Sequence, residues 1–519
     1  GALENVLGNS VISSTVLNIP NIDVIGFLAD NANNNIYLFL TDYIDTSVSG
    51  ISNFAPSNAN CIISRYNTST KIYTKLVQGR FLNFAKNNPI IGVNILENLL
   101  FFTDNRNQPR KINVDLANPS GSSSPTYYSS EDTISVAKPA PLEAIKLVNI
   151  AQGLPLESTM INPAQEFMPD GTTPNPDYNA NWAGDPNFLQ DKFVRFSYRY
   201  KFDDGEYSLM APFTQTCFIP KQQGYFLDGD QEEAYRSTIV QFVENNVTQI
   251  GLNIPFETEN PAADLHISEL EIIYRESDTT NIKVVESIPV SSVVNKMKSN
   301  VNKKVYNFTY ISTKPYKTLP ADQGIRVYDM VPVRALAQEV SGNRVMYGNF
   351  YDKMSPPKSI DYGVGYSLKL QDSQVEYPNH TTKQNRNYQI GIVLSDKFGR
   401  QSSVVLSSKD TGDNEEGIQY GGSTIYLPYF NGNLSDILNW PGYALRVLFN
   451  SPIPSNLDIE GYPGLYSETN PLGWYSYKVV VRQQEQDYYN VFLPGILNGY
   501  PSGTTNFNTE VDQTANIVL

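Results

Sequence analysis

Short apolar runs of strand length, separated by turn residues, are the feature that most constrains the fold of this chain. Runs rich in Ile, Val, Tyr and Phe alternate with polar residues, and clusters of Asn, Gly, Asp, Ser and Pro interrupt them roughly every ten residues. The 33 Gly and 33 Pro residues supply this punctuation. The best helical pattern is the short segment Ser435–Trp440, with Ser435 as N-cap. We therefore predict an all-β fold with less than about 15% helix.

Length and composition exclude several other classes. The 519 residues predict about two to four packing units, and 40% hydrophobic residues are enough to exclude general disorder. No apolar run approaches the roughly 18 residues of a membrane-spanning helix, and no basic segment followed by an apolar one indicates a signal peptide. The formal charge of -15, from 38 basic and 53 acidic residues, disfavours binding to nucleic acid through Lys and Arg clusters.

One internal repeat has the form of a strand that ends on Asp. Ile25-Gly26 is followed by Phe39-Leu-Thr-Asp42, Ile91-Gly92 is followed by Phe101-Phe-Thr-Asp104, and a looser copy lies in Val340–Asn349. We expect Asp42 and Asp104 to accept hydrogen bonds from backbone N–H groups at the strand ends, and to act on stability alone.

A second repeat has the form of a hairpin. Phe193–Ser208 and Tyr388–Ser402 share an alternating strand, an Asp/Gly turn and a return strand that begins with Ser. Both resemble the last hairpin of a fibronectin type III-like sandwich. Leu270–Arg275 followed by Lys283–Glu286 resembles the central strand pair of that fold, and Trp474–Val481 resembles another of its core strands.

The two repeats together predict the domain organisation. The strand, polar turn and returning strand of Leu100–Val114 resemble a blade of the Tyr-Trp-Thr-Asp type of β-propeller, so we expect β-propeller-like blades interrupted by fibronectin type III-like (immunoglobulin-like) β-sandwich modules. The Pro-rich Lys138–Pro141 marks the first boundary. The predicted order is the first part of the blades in 1–138, an inserted sandwich in 139–330, a blade in 331–360, a second sandwich in 361–495, and the start of a further strand or blade in 496–519.

The sequence assigns no catalytic, cofactor-binding or metal-ligating residues, and we predict no enzyme and no cofactor. It contains no P-loop, dinucleotide-binding Gly pattern, nucleophile elbow or zinc-binding helix motif. The only histidines, His266 and His380, form no cluster, and Cys61 and Cys217 have neither metal-ligand nor disulfide-framework spacing. We interpret both cysteines as isolated core thiols.

Two kinds of segment could bind ligands but have a simpler interpretation. The acidic loops Asp228–Glu233 and Asp410–Glu416 could ligate calcium, but neither has the full twelve-residue loop spacing, so solvated turns are favoured. The pairs Tyr127-Tyr128 and Tyr488-Tyr489 could stack against sugars, but tyrosines in strands are more often half-buried packing residues.

Three stretches read together resemble a known family: Pro332–Asn349, Tyr388–Ser402 and Gly473–Gly495. They are similar to virion structural proteins of tailed bacteriophages, most closely to the tail nozzle or muzzle (tail tube) proteins of short-tailed, crAss-like phages, and the likeness runs from Ile91 to Gly495. The resemblance implies a virion protein that forms a ring of six copies in the phage tail. Such a ring would contact hub, adaptor and fibre proteins and would enclose a conduit for DNA ejection, in which DNA passes without sequence-specific binding.

The charge agrees with a conduit, because a net negative field repels the phosphates of a passing duplex. Two other classes stay open. One is a carbohydrate-binding adhesin or a tailspike-like receptor-binding depolymerase, and the other is a surface-layer or cell-surface binding protein built from the same sandwiches. A depolymerase would degrade a glycan, an adhesin would bind it without turnover, and a conduit would form rings and do neither.

Overall fold

A computed structural model describes most of the chain as antiparallel β-sheets. Strands make up 45% and helices 6% of the structure, so the all-β prediction and the low helix content are confirmed. The described residues are 19–47, 53–148, 166–167, 171–176, 178–185, 187–217, 245, 247, 249–276, 279–315, 317–320, 323, 331–342, 344–372, 382–409, 414–415, 417–428, 439–455 and 462–484. Several sequence predictions fall outside these ranges: His380, the loop 228–233, all but 414–415 of the loop 410–416, Tyr488-Tyr489 and the segment 496–519.

The first unit consists of two antiparallel sheets. One contains β1 (Asp23–Asp30), β2 (Asn35–Thr41), β3 (Cys61–Asn67) and β4 (Tyr73–Gln78), and the other contains β5 (Gly92–Leu96), β6 (Leu99–Thr103) and β7 (Arg110–Asn113); a 3-10 turn covers Arg80–Leu82. Strands in both sheets are neighbours in chain order, so each sheet is a simple meander.

The two sheets of this N-terminal unit share one hydrophobic core, which runs from Ile25 to Ile134 in sequence. The rings of Phe39 and Phe102 lie 5.0 Å apart, and Phe84 contacts both. The sheets approach closely at Gly26, because a Cβ there would lie 2.5 Å from the Ile90 carbonyl oxygen. The first two copies of the Asp-terminated strand repeat therefore lie in two sheets that pack against each other.

The second unit is a two-layer sandwich, the first sandwich. Its strands are β8 (Lys146–Val148), β9 (Val194–Phe202), β10 (Ile250–Pro255), β11 (Ile267–Glu276), β12 (Ile282–Pro289), β13 (Val305–Tyr310) and β14 (Lys317–Thr318). One sheet has the order β13-β10-β8 and the other the order β14-β12-β11-β9, with the core between them. The predicted central strand pair is confirmed as the antiparallel pair of β11 and β12.

The helices among the described residues are short: α1 (Glu131–Ile134), α2 (Pro261–Asp264) and α3 (Val290–Lys298). The helix prediction for Ser435–Trp440 is wrong at its described end, because Asn439 and Trp440 begin a strand. Sequence analysis missed α3, whose buried Val290, Val293, Val294 and Met297 have amphipathic helical spacing, because β-branched residues also favour strands. Within the described residues, no helix has the length and apolar character needed to cross a membrane.

A two-stranded hairpin follows the first sandwich and packs back on the N-terminal unit. It consists of β15 (Arg334–Ser341) and β16 (Arg344–Tyr351), with Gly342 in the left-handed region at φ 57°. The Thr103 hydroxyl donates to the Ala335 carbonyl at 2.6 Å, and a Cβ at Gly92 would lie 2.6 Å from the Gln338 nitrogen. The third copy of the repeat, Val340–Asn349, lies in this hairpin.

The last unit, the second sandwich, contains β17 (Tyr362–Asp372), β18 (Arg386–Asp396), β19 (Asn414–Glu415), β20 (Ile418–Gln419), β21 (Thr424–Leu427), β22 (Asn439–Phe449) and β23 (Trp474–Gln484). The strand orders are β17-β22, β21-β18-β23 and β19-β20. A core that includes Tyr362, Ile392 and Trp474 lies between the two larger sheets. Among the described residues no sheet closes into a barrel or a propeller.

The two sandwiches share one chain topology. In the first, β8 pairs with β10 and β9 pairs with β11, and in the second, β17 pairs with β22 and β18 pairs with β23. In both cases the strand that carries the hairpin comes between the two strands of the opposite sheet in chain order. The second sandwich is thus a structural repeat of the first in these four strands.

The hairpin repeat holds at the level of single hydrogen bonds, at a constant spacing of 194 residues, as from Ser208 to Ser402. The Ser208 hydroxyl accepts from the Tyr200 N–H at 2.9 Å, and the Ser402 hydroxyl accepts from the Leu394 N–H at 3.0 Å. Each serine N–H also donates back to the same partner at 2.9 Å. The predicted likeness of the two hairpins is confirmed.

Candidate functional site at the junction of the modules

The tips of the two repeated hairpins meet the N-terminal unit, and we call this region the module junction. The first tip is Phe202–Glu206 and the second is Asp396–Arg400, each closed by a hydrogen bond from the glycine N–H to the first residue of the tip. Gly205 and Gly399 have φ of 81° and 84°, in the left-handed region where a side chain is unfavourable. The Asp/Gly turn seen in the sequence therefore sets the shape of both tips.

Equivalent positions in the two tips carry opposite charges. Asp203 in the first tip corresponds to Lys397 in the second, and Glu206 corresponds to Arg400, at the same spacing of 194 residues. The first tip is acidic and the second carries two basic side chains. The surfaces that receive them on the N-terminal unit should then differ in charge.

The first tip contacts two buried lysines. Lys111 Nζ lies 3.3 Å from Asp204 Oδ2 and 2.5 Å from Glu206 Oε1, and Lys138 Nζ lies 2.9 Å from Asp204 Oδ2. Burial opposes ionisation of Asp204, but the charges of Lys138 and Lys111 outweigh it, so the pKa of this carboxyl lies below its usual value. Lys111 is in β7, so the second sheet of the N-terminal unit holds the first sandwich by charge.

The second tip contacts an acidic residue and several polar groups. Lys397 Nζ lies 2.5 Å from Asp132 Oδ2. Burial disfavours the ammonium, but Asp132 outweighs it and raises the pKa of Lys397. Arg400 donates to the Pro332 carbonyl at 2.9 Å and to the Gln108 Oε1 at 3.1 Å, and Asp396 accepts from the Arg400 Nε at 2.6 Å.

A small apolar cluster includes a residue of the second tip. Ala137 and Phe398 are buried, and Leu209 and Val331 pack against them. These four residues come from the N-terminal unit, the second tip, the return strand of the first hairpin and the segment before β15. The junction therefore joins the N-terminal unit, both sandwiches and the hairpin of β15 and β16.

The polar turn between β6 and β7 is the buried base of the junction. Asp104, Arg106, Asn107, Gln108 and Arg110 are all at most 4% exposed. Arg106 forms a buried ion pair with Asp45 and donates to the Asn83 carbonyl at 2.8 Å. Several polar residues so close together normally indicate an exposed loop. Here they are buried with partners, most of which belong to the N-terminal unit itself.

A second buried ion pair joins this turn to α1. Arg110 Nη2 lies 3.0 Å from Glu131 Oε1. Burial raises the pKa of Glu131, and the charge of Arg110 opposes that rise. Removing one partner of such a pair leaves a buried charge uncompensated and typically costs about 3–5 kcal/mol.

His266 and Tyr127 close the side of the junction next to the first tip. His266 lies between α2 and β11 at φ 58°, with Nε2 at 3.1 Å from the Tyr127 carbonyl and Nδ1 at 3.6 Å from Asp203 Oδ2. The Tyr127 hydroxyl donates to Asp203. Burial lowers the pKa of His266 despite the nearby carboxylate, so the imidazole is neutral near pH 7.

The structure gives clear positions to the residues that sequence analysis singled out. Asp104 Oδ1 accepts from the backbone N–H groups of Arg106 and Asn107, at 3.0 and 2.7 Å, and Asp42 Oδ1 accepts from the Asn60 N–H at 2.8 Å. Both carboxylates hold turn backbones, as predicted. Asp42 follows β2 and Asp104 follows β6, so the residue after the second strand accepts backbone hydrogen bonds in both sheets of the N-terminal unit.

The cysteines and the tyrosine pair also have structural surroundings. Cys61 and Cys217 are free and buried, as predicted, and burial raises the pKa of both thiols. Tyr127 and Tyr128 form an edge-to-face pair with ring centroids 4.8 Å apart, and Tyr128 is buried. The packing interpretation of this pair is confirmed, and the rings do not form an exposed sugar-stacking platform.

Two open clefts are each lined by residues of both sandwiches. The larger, of about 1020 Å³, is lined by residues that include Glu143, Glu257, Asn253 and Tyr475, and the smaller has about 740 Å³. Burial raises the pKa of Glu257. In the part of the chain that the structure describes, no three His, Cys, Asp or Glu residues form a group that could hold a metal ion.

Sequence analysis missed the module junction itself. Its signal is present in the alignment of the two hairpins, where equivalent positions have opposite charge, and in the concentration of polar residues in 104–110. In comparisons with known proteins, no family model and no curated protein match this chain.

Proposed function

We propose that this chain is a structural, non-enzymatic subunit of a phage tail tube, of the nozzle or muzzle type, in which copies form a ring that serves as a conduit for DNA ejection. The observation that carries the proposal is the module junction, in which ion pairs hold both sandwiches to the N-terminal unit and Arg400 donates a hydrogen bond to the segment before β15. A wall subunit must keep one shape under load, whereas a flexible binding protein benefits from mobile modules. The resemblance in Pro332–Asn349, Tyr388–Ser402 and Gly473–Gly495 supports the identity of the tube.

Buried ion pairs suit this role because they fix geometry more than they add stability. The desolvation of two charges offsets most of their attraction, but a misplaced module would leave charges buried without partners. Lys111 and Lys138 accept only an acidic tip, and Asp132 accepts only a basic one. The opposite charges of the two tips therefore specify which sandwich occupies which side of the N-terminal unit.

The proposal includes the finer fold. The paired meanders and the hairpin of β15 and β16 would be a section of a β-propeller, and the two sandwiches would be fibronectin type III-like modules. Stacked meanders with a shared core support the first assignment. The seven strands of the first sandwich, in sheets of three and four, support the second.

A ring needs two different surfaces on each subunit, because one patch must meet another patch on the next copy. Two edge strands of the N-terminal region expose large apolar side chains: Phe27 on β1, and Met346 and Phe350 on β16. Exposed apolar side chains on sheet edges favour association. We assign these two edges to the contact between neighbouring copies, which should bury more than about 2,000 Å².

The channel of such a ring should carry few Lys and Arg side chains. Each phosphate contact would add salt-dependent binding, which slows a duplex that must slide. The charge of -15 and the burial of Lys111, Lys138 and Arg400 in the module junction are compatible with this requirement.

Negative-stain microscopy with analytical ultracentrifugation of the purified chain tests the proposal. We expect closed rings of about six copies, which dissociate when Phe27 and Phe350 are both replaced by Asp. A matched control replaces the exposed Val301, in the loop before β13, by Asp and should leave the rings intact. A monomer at concentrations above about 10 μM would contradict ring formation.

The alternative is a carbohydrate-binding adhesin or tailspike-like protein. The larger cleft favours it, because Tyr475, Asn253 and the carboxylates of Glu143 and Glu257 offer the polar and aromatic groups that sugars use. Binding of the monomeric chain to a glycan array, lost on Asn253→Ala together with Tyr475→Ala, would favour the adhesin. Glycan degradation would favour the depolymerase.

A further inference from the structure

An open pocket of about 530 Å³ lies at one end of the first sheet of the N-terminal unit. Its lining comes from three segments: 57–61 at the start of β3, 78–80 at the end of β4, and 124–125 after β7. The Gly79 N–H donates to the Cys61 carbonyl at 3.1 Å, which ties the first two segments together. Loops held by a rigid sheet are common positions for binding residues. The pocket shares no lining residue with the two clefts between the sandwiches.

The pocket contains a cation without an ionic partner, Arg80. Its Nε is buried without a hydrogen-bond partner, and in the described part of the chain no carboxylate pairs with its guanidinium. By contrast, Arg106 and Arg110 of the same unit each pair with a carboxylate. The Arg80 guanidinium carbon lies 5.1 Å from the centre of the Phe54 ring, a cation–π contact that occupies one face of the group. The N–H donors along its edge are therefore available to a ligand.

The other polar side chains of the pocket are neutral. Among the described residues that line it there is no Asp or Glu; the polar ones besides Arg80 are Ser57, Asn58, Asn60, Cys61, Gln78 and Ser124. A buried donor without an acceptor is unfavourable in a folded protein, and a ligand that accepts hydrogen bonds removes that cost. An uncompensated guanidinium without a carboxylate beside it in the lining favours an anionic acceptor.

Two side-chain amides of the lining are oriented by neighbours outside the pocket. Asn60 Nδ2 donates to Asp42 Oδ2 at 2.6 Å, which leaves Asn60 Oδ1 as an acceptor. Lys75 Nζ donates to Gln78 Oε1 at 3.2 Å, which leaves Gln78 Nε2 as a donor. A hydroxyl group both donates and accepts, so a hydroxylated ligand matches this pair of amides.

We propose that this pocket binds a sugar that carries one anionic group, a carboxylate or a phosphate. Arg80 holds the anionic group through charge-assisted hydrogen bonds, and the amides of Asn60 and Gln78 hold hydroxyl groups. The volume of about 530 Å³ is within the usual range of small-molecule pockets. The inference goes beyond the proposed function and does not depend on it. A ring-forming subunit that also binds an anionic sugar would combine two roles that sequence analysis kept apart.

Saturation-transfer NMR of the full chain with three probes tests the proposal. Glucuronate carries a carboxylate, glucose 6-phosphate carries a phosphate, and glucose has no charge. We expect an anionic sugar to bind with a Kd of about 1 mM, at least about tenfold more tightly than glucose. Binding of only one anionic sugar would support the proposal and identify the anionic group. Binding of neither, or equal binding of all three probes, would overturn it.

The variant Arg80→Gln should weaken binding of the anionic sugar at least about tenfold and leave binding of glucose unchanged, because it removes the charged hydrogen bonds. The matched control is Arg65→Gln on β3 of the same sheet, where Arg65 lies 4.0 Å from Asp115 and outside the pocket. This control should keep the affinity. An unchanged affinity in Arg80→Gln, or an equal loss in both variants, would overturn the proposal.

A second variant keeps the test valid if Arg80→Gln does not fold. Asn58 is exposed in the lining of the pocket, so Asn58→Asp adds a carboxylate at little cost to the fold. The added charge should repel the anionic sugar and weaken its binding at least about tenfold. An unchanged affinity in a folded Asn58→Asp variant would overturn the proposal. Rings without sugar binding would overturn this inference alone and leave the proposed function standing.

Discussion

Asp104 shows how one side chain can hold a turn that the sequence describes only as polar. Its carboxylate accepts two backbone N–H groups and the Asn107 side-chain amide, at 2.6 Å for the amide, and the residue is 4% exposed. The Thr-Asp repeat in the sequence predicted this role correctly. It did not predict that Arg106 and Arg110 beside it are buried, because their ion-pair partners, Asp45 and Glu131, are distant in the chain.

Asp104→Ala should lower the free energy of unfolding by about 1–3 kcal/mol, because buried backbone donors lose their acceptor. Chemical denaturation monitored by circular dichroism measures this loss. Asp42→Ala is the matched comparison and should cost less, because Asp42 is only half-buried and accepts one backbone N–H. Equal stability of both variants and the unmodified chain would show that the repeat has no structural role.

His266 makes the junction sensitive to mild acid. Its pKa is lowered in the folded state by burial, so the unfolded chain binds more protons below about pH 6.5. The stability contributed by neutral His266 is therefore complete above that pH and is lost as the pH falls towards the folded pKa. Among the groups around the ring, Asp203, Asp204 and the Tyr127 carbonyl oppose the lowering of this pKa, and the charge of Lys138 adds to it.

We expect the melting temperature of the unmodified chain to fall as the pH drops below about 6.5, and His266→Asn to flatten this dependence. Asn tolerates the left-handed backbone that His266 adopts at φ 58°, so the substitution removes the titration without straining the chain. Differential scanning calorimetry at several pH values measures both profiles. The same slope in both proteins would assign the pH dependence to other groups.

At the scale of elements, the period-two alternation and the turn chemistry predicted the strands well. The two hairpins, the central pair of β11 and β12, and the Asp-terminated strands are where the sequence places them. Helix α3 was missed because Val residues fit both periods, and the start of β22 was mistaken for a helix from one capping serine. The docking of the tips depends on long-range charge pairing, which no local pattern reveals.

Exchanging the charges of Lys397 and Asp132 together should preserve much of the stability, whereas reversing either charge alone should not. Lys397→Asp or Asp132→Lys alone should cost on the order of 3 kcal/mol, because each leaves two like charges close together in a largely buried place. The double variant should recover a large part of that loss, although Lys397 also lies 5.3 Å from the centre of the Tyr466 ring.

A double-mutant cycle in urea measures the coupling between the two positions, which we expect to exceed about 1 kcal/mol. The matched control is Asp191→Ala at the exposed pair of Asp191 and Lys192, which should cost less than about 1 kcal/mol. Additive losses in the cycle would mean that Lys397 and Asp132 do not specify the docking of the second sandwich.

For the whole molecule, the proposed ring follows from parts that the sequence revealed unequally. Composition and repeats predicted a modular β-protein, whereas the burial of the 104–110 turn and the docking of the charged tips on the N-terminal unit emerged only from the assembled chain. The ion-paired junction, the exposed apolar side chains on β1 and β16 and the negative net charge all suit a wall subunit.

A cryo-electron microscopy map of the assembled protein tests this account most directly. We predict a closed ring around an axial channel, with neighbouring copies in contact through the edges of β1 and β16 and with few Lys or Arg side chains on the channel wall. A map with the chain as a separate fibre or spike away from the axis, or with a channel lined by Lys and Arg, would contradict the account and favour the adhesin.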